Sequence, residues 1–247
     1  MCLYRSRLNR WGITVNAATP GSFLTHIGAD DWKYLVESGV ARSCEPNEML
    51  FRHGDPAGHV LLVVDGWVKI TINAPSGYEA VLAIRGCGDV LGELAVLDGR
   101  ARSANVRTLC ETRVVLLAAD RFLHALEARP RIAIALLSHL AGRLRRSDNR
   151  RVEQAAHSAT ERLAAFLLRL ADQQGAVVAE GVEISVRLSQ QEIAGAIGAS
   201  REAVARGLRI LREREVVITR RRRLVITAPH VLESMAADVQ FDTEEPC

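Results

Sequence analysis

Between Arg131 and His157 the chain runs for about 27 residues with no proline and one glycine, Gly142. As a helix that stretch is roughly 40 Å long at 1.5 Å per residue, too long to hide inside a small domain. The chain must therefore be organised around it, with one folded part before and another after. Its apolar positions Leu137, Leu140 or Ala141, Leu144 and Val152 step by three and four, as in a two-stranded coiled-coil seam. A core helix of a monomer would show the same steps. The arginines 143, 145, 146, 150 and 151 on the flanks narrow the apolar stripe, and that favours a seam between two copies. Ser147 and Asp148 break the seam, where polar residues cost stability while setting register or serving a site.

Ahead of this helix, residues 1–22 lack periodicity and end in Ala-Thr-Pro-Gly-Ser, so a tail is expected there. Ala29 to Ser38 places Trp32, Leu35 and Val36 at helical spacing behind two aspartates, which predicts a short helix closed by Gly39. From Val40 to Ala118 the texture changes. Short β-branched runs at His59–Val64, Trp67–Ile72, Ala80–Ile84, Asn105–Leu109 and Thr112–Leu117 alternate with Gly, Pro and Asp turns, the pattern of a compact β barrel or roll. Asp120 to Ala128 reads as a short helix ended by Pro130.

Within the β region, the stretch from Gly92 to Ser103 is loop-like and carries the best anion-binding chemistry in the chain. Gly92 and Gly99 allow tight turns whose N–H groups can face a ligand. Arg102 offers a rigid fork of donors suited to phosphate, Ser103 adds a hydroxyl, and Glu93 can only accept, which suits a sugar hydroxyl. A surface turn pairing Glu93 with Arg102 is the alternative reading of the same residues.

After the long helix, Ser158 and Glu161 form a capping-box pair ahead of Leu163, Phe166, Leu167 and Leu170, which makes His157–Ser158 a candidate hinge. Val182 to Arg187 alternates like a strand. Ser189 can cap a helix carrying Ile193, Ala194 and Ile197, Gly198-Ala199-Ser200 makes a turn and second cap, and Val204, Leu208 and Leu211 line the next helix. Val216–Thr219 and Leu224–Thr227 then read as a hairpin with Arg220, Arg221, Arg222 and Arg223 at its tip. In such a helix-turn-helix the start of the second helix reaches base edges in the major groove. Arg201, Glu202 and Arg206 stand there, with side chains that suit guanine and cytosine edges. Ser189, Gln191 and Ser200, near helix starts, are placed for phosphate. Charge agrees with this reading: ten Arg against four Glu from Arg187 to Arg223 give +6, although the whole chain carries only +3.

Two motifs, Gly92-Glu93-Leu94-Ala95 with Arg102-Ser103 and Ser189-Gln-Gln-Glu-Ile-Ala with Ser200-Arg201-Glu202-Ala-Val-Ala-Arg206, resemble those of the cyclic-AMP receptor/FNR (Crp/Fnr) family of bacterial transcription regulators. The resemblance spans roughly Phe23 to Pro229. It implies an α+β chain with a tail over 1–22, a cyclic-nucleotide-binding β-roll over 23–129, a dimerisation helix over 130–157, a winged helix-turn-helix over 158–232 and an acidic tail over 233–247. It also implies that Gly92, Glu93, Leu94 and Ala95 cradle the nucleotide, with Glu93 on the ribose 2'-hydroxyl and Arg102 and Ser103 on the cyclic phosphate. Arg201, Glu202 and Arg206 would read a palindrome with TGTGA-like half-sites in double-stranded DNA, as a homodimer working with RNA polymerase. The family's adenine-holding Thr and Ser correspond to Ser147 and Asp148. A carboxylate at 148 also matches the paired donors of guanine, so cyclic AMP is the first expectation and cyclic GMP its rival, with another effector or none still open.

Other classes find less in the chain. No nucleophile elbow, Walker loop or His-Glu-x-x-His occurs, so no enzyme is expected. The five cysteines are scattered, and no metal site or disulfide framework is expected. No apolar run is long enough for a membrane helix, which places the protein in the cytoplasm. A nucleotide-sensing module acting through protein partners would share the pocket residues but would not need the basic helix-turn-helix.

Overall fold

The run His-Val-Leu-Leu-Val-Val-Asp at 59–65 does not alternate, and a strand apolar on both faces must be covered on both. The computed structural model, which describes residues 7–8, 13–14, 18–19, 21–73, 79–184, 188–220 and 223–237, meets that demand with a sheet on one side and helices on the other. Two-residue strands β1 (Arg7–Leu8) and β2 (Ile13–Thr14) pair first, followed by a 3-10 turn at Phe23–Thr25 and helix α1 (Ala29–Glu37). Six strands come next: β3 (Val40–Cys44), β4 (Met49–Phe51), β5 (His59–Asp65), β6 (Val68–Asn73), β7 (Glu79–Arg85) and β8 (Val90–Leu91). Helix α2 (Glu93–Asp98) precedes β9 (Asn105–Thr108) and β10 (Thr112–Ala118), and then α3 (Ala119–Ala128) and the long α4 (Pro130–Ala156) close the order.

These strands form two antiparallel four-stranded sheets, ordered β3-β10-β5-β8 and β4-β9-β6-β7. Leu61 and Val63 of β5 turn inward to meet Phe51, Val68 and Val106 of the other sheet. Val60, Leu62 and Val64 face Phe23, Trp32, Leu35, Phe122, Ile132 and Leu136 of the helices. The predicted roll is present, and each of its five anticipated strands recurs within two residues at either end.

Four expectations change. The stretch 92–103 is not all loop, because Gly92 and Gly99, both left-handed, bracket the helix α2, whose Ala95 and Val96 are buried. Residues 1–22 are not wholly a tail: the Thr19 N–H donates to the Cys87 carbonyl at 2.9 Å, and Ser22 is buried. The turn Gly86-Cys87-Gly88 permits that approach, since a Cβ on Gly86 would lie 2.6 Å from Thr19 Oγ1 and one on Gly88 2.7 Å from Ser22 Oγ. The long helix is not a domain of its own. Ile132, Ala135 and Leu136 belong to the core of the first unit, and the chain divides into Met1–Arg143 and Leu144–Cys247. Between Leu140 and Ala141 the structure also decides: Leu140 packs inward, while Ala141 is exposed in line with Ile134 (63%), Leu137 (67%) and Leu144 (64%). The side chain of Val152 lies outside the described residues.

The second unit contains α5 (Ala159–Gln174), β11 (Gly175–Val178), β12 (Gly181–Ile184), α6 (Gln190–Ile197), α7 (Arg201–Glu213), β13 (Val217–Arg220), β14 (Arg223–Ile226) and α8 (Pro229–Ala236). Its four strands form one antiparallel sheet in the order β11-β12-β14-β13. The hairpin supplies the fourth correction. Arg220 pairs with Arg223 as the last rung of the ladder, so they are strand residues and not part of the tip, while Arg221 and Arg222 lie outside the described residues. In this unit two elements have no counterpart in the expectation: the β11 strand, and α8, which carries helix past position 232 and packs Ala236 on Ala165 of α5.

Both halves of the predicted capping box at α5 form. Ser158 Oγ accepts from the Glu161 N–H at 3.3 Å, and Glu161 Oε2 accepts from the Ser158 N–H at 2.9 Å. Ser158→Ala should cost about 1 kcal/mol of stability, read as a lower urea midpoint at unchanged slope.

Candidate functional site

Strand β8 ends at Leu91, and Gly92, with a φ of 80°, turns the chain into α2. A side chain could not be carried there: a Cβ would sit 2.3 Å from Arg102 Nη1 and 2.8 Å from the Phe51 ring. Around this turn lies a pocket holding about 440 Å³ of empty space, part of it open to solvent, lined by Gly92, Glu93, Leu94, Ala95, Arg102 and Ser103 together with Phe51, Ile70, Leu91 and Arg143 among others. Every residue expected of the stretch 92–103 is thus brought to one place.

Arg102 is its centre. The residue is 3% exposed. Nη1 donates to the Gly92 carbonyl at 3.0 Å, Nη2 donates to the His59 carbonyl, and the guanidinium carbon lies 3.8 Å from the centre of the Phe51 ring. Its backbone is fixed as well, donating to Asp55 O at 2.8 Å and accepting from the Gly54 N–H at 2.9 Å. Among the described residues no carboxylate forms an ion pair with it, and burial pulls its pKa below the ordinary guanidinium value although Glu93 and Asp55 act the other way. A buried cation without a counter-ion is costly. Two of its five N–H donors are taken by carbonyls, which leaves three for an anion.

Glu93, 2% exposed, does not pair with Arg102. Its Oε1 accepts a short hydrogen bond from Nη1 of Arg143 on α4. The simple surface-turn reading therefore fails: the acid and the base of the stretch take different partners, and both are buried. Ser103 stands exposed at the rim, Leu94 is 41% exposed, and Ala95 is buried. His59, beside Phe51, is held below the ordinary imidazole range by burial first and then by Arg102 and Arg42. Further along α4, Ser147 is half-buried and Asp148 exposed, and neither is among the residues that line the pocket.

Sequence reasoning did not assign Phe51 and Arg143 to this site. Phe51 sits in a short strand that carries no motif. Arg143 was visible only as one of several arginines flanking a seam, and nothing in a charge run says which member turns inward.

In the second unit the caps stand as expected. Ser189 Oγ accepts from the Glu192 N–H at 3.2 Å, and the Glu192 carboxylate returns to the Ser189 N–H at 2.8 Å, a second capping box. Ser200 Oγ accepts from the Ala203 N–H at 3.1 Å at the start of α7. Ala194 is wholly buried, and Gly198 is left-handed (φ 62°) between the two helices. Arg201, Glu202 and Arg206 are all exposed on α7, and Arg209, one turn further, continues the same exposed strip. Gln191 is half-buried. The Glu202 carboxyl is held below the usual range by its backbone N–H and the Ser200 hydroxyl, so it presents an acceptor. Arg212 Nη1 donates to Thr219 Oγ1 at 3.1 Å and ties α7 to the β13–β14 hairpin. No described helix is long and apolar enough to cross a membrane, and no described cluster of three or more His, Cys, Asp or Glu could hold a metal ion.

Comparison with known proteins follows the same division. Residues 41–129 match the cyclic nucleotide-binding domain, and residues 161–235 match the Crp-like helix-turn-helix domain. The CRP-like cAMP-activated global transcriptional regulator of Mycobacterium tuberculosis is 35% identical over 64% of this chain and 71% of its own length. The global nitrogen regulator of Nostoc is 31% identical over 78% of this chain and 87% of its own. Among solved structures, the c-di-GMP responsive global regulator CLP of Xanthomonas campestris superposes with a TM-score of 0.70 at 25% identity, covering 81% of this chain and 99% of that one. The two motifs, the two domains around them and relatives that match across both units lead to one assignment, and this chain belongs to the Crp/Fnr family of transcription regulators.

Proposed function

We propose that the protein is a cyclic-nucleotide-responsive, sequence-specific DNA-binding regulator that works as a homodimer, with the ligand biasing the placement of its recognition helices. The observation that carries this reading is the buried Arg102, which among the described residues has no carboxylate ion pair, in a pocket beside Glu93 and Ser103. A cyclic phosphate would supply the missing charge to Arg102 and Ser103, and Glu93 would accept from a ribose hydroxyl. Arg143 would hold the Glu93 carboxylate in place. Ser147 and Asp148 on α4 are the residues we assign to the base. Cyclic AMP is the first ligand, in keeping with relatives named as cAMP-activated. The exposed carboxylate of Asp148 keeps cyclic GMP as the second reading.

Dimerisation through α4 is supported by the stripe Ile134, Leu137, Ala141 and Leu144, apolar and exposed among the described residues. The DNA contacts assigned are Arg201, Glu202 and Arg206 to base edges of a palindrome, with Ser189, Gln191, Ser200 and Arg220 to Arg223 on phosphates. Such a regulator meets RNA polymerase in the cytoplasm. A ligand that changes DNA affinity by the usual 5- to 150-fold supplies about 1–3 kcal/mol of coupling.

A thermal-shift comparison with cyclic AMP, cyclic GMP and neither tests the pocket. One nucleotide should raise the melting temperature of the natural chain and leave Arg102→Ala unmoved, because stabilisation tracks ligand concentration over its dissociation constant. No shift with either nucleotide would overturn the ligand assignment. For the DNA interface, Arg201→Ala should lower discrimination between a TGTGA-type palindrome and its scrambled version by about 1–3 kcal/mol. An equal loss on both sequences would make Arg201 a phosphate contact.

A further inference from the structure

Helix α6 ends in a turn whose carbonyls need donors. The Gly198 N–H bonds back to Ala194 and Gly195, and the Ala199 N–H bonds to Ala194 O at 2.9 Å, which leaves the carbonyls of Ile197 and Gly198 pointing out of the helix end. Both are met by one side chain from a different helix. Arg162, in the first turn of α5, donates from Nε to Ile197 O at 3.0 Å and from Nη2 to Gly198 O at 3.3 Å. Its Nη1 donates to the carbonyl of His157, the residue between the end of α4 and the cap of α5.

We infer that Arg162 is the positioning residue that fixes the helix-turn-helix turn to the α4–α5 junction, so that a change of direction at His157 moves the turn and α7 with it. The physical basis is threefold. A guanidinium is a planar fork, so bonds to three carbonyls from three of its nitrogens fix the junction, the α5 axis and the end of α6 in one geometry. A cation at a helix C-terminus is favoured by the helix dipole, which adds to the bonds Arg162 makes at the end of α6. The same turn of α5 also meets α7 directly: a Cβ on Gly207 would lie 2.8 Å from Leu163 Cδ2 and 3.6 Å from Thr160 Oγ1, so the recognition helix rides on α5 at contact distance. Both α6 and α7 are thus held by residues 160–163, and His157 is the residue that joins α4 to this assembly.

This inference rests on the ligand-responsive reading given above, and its test separates the two. Arg162→Lys and Arg162→Gln in the full chain would be compared with the natural sequence. Circular dichroism and melting would report the fold, and calorimetry with cyclic AMP and cyclic GMP the pocket. Anisotropy titrations on the matched and scrambled palindromes, each with and without nucleotide, would report coupling. Hydrogen exchange over residues 194–203 would report the turn. The expectation is nucleotide affinity within about twofold of the natural chain, a nucleotide-dependent gain in matched-site affinity reduced about fivefold or more, and faster exchange at residues 198–200. A gain within twofold of the natural chain together with unaltered exchange would overturn the role. If the natural chain itself gains nothing from either nucleotide, the ligand reading fails. Arg162 is then judged by exchange and by the matched-to-scrambled ratio, and no change in both would overturn it too. Should Arg162→Gln fail to fold, Arg162→Lys, which keeps the charge but not the fork, decides.

Discussion

Among the described residues Arg102 buries its guanidinium with no carboxylate ion pair, an arrangement that is costly in itself, and its neighbours in the first unit are built around it. Gly92 has no side chain because Arg102 and Phe51 occupy the space one would need. Phe51, on the opposite sheet from β8, covers the guanidinium face, and the carbonyls of His59 and Gly92 take two of its protons. Strand β5, buried on both faces, holds the His59 end of that arrangement rigid. Electrostatic cost is therefore concentrated at one point, where an anionic ligand would relieve it. This makes the pocket a site for a charge and not for shape alone.

Helix α4 carries a second constraint. Its early residues belong to the core of the roll, and Arg143, the last residue of the first unit, holds Glu93 of the pocket. Its other face keeps a stripe of large apolar side chains in solvent. A single helix thus supplies core residues, a pocket-lining arginine and an exposed apolar stripe. Beyond its end, the capping box fixes the start of α5, and the three bonds of Arg162 tie it to His157 and to the end of α6.

Much of this was legible in the residues. The capping boxes, the roll strands and the helix-turn-helix were readable because each depends on local rules: a serine three residues before a glutamate, β-branched runs between turns, a left-handed glycine between two amphipathic helices. The misreadings share one cause. Thr19 and Ser22 read as tail because their partners lie in the distant Gly86–Gly88 turn, and α2 reads as loop because a six-residue helix between two glycines has too few positions for a period to show. The hairpin tip was placed one residue wide on each side because four consecutive arginines carry no pattern that marks where pairing stops.

The sequence by itself determined the order of parts, the residue types at the pocket and at the DNA-reading helix, and the existence of a long helix with an apolar stripe, since all of these follow from spacing along the chain. Only the tertiary structure decided the partners. Glu93 could have paired with Arg102 nearby or with Arg143 some fifty positions on, Leu140 and Ala141 could have exchanged roles, and Arg162 could have been one more solvated charge. Such choices depend on which surfaces meet once the core has closed, because a charge or a methyl group shows its chemistry in the sequence and its neighbour only in space.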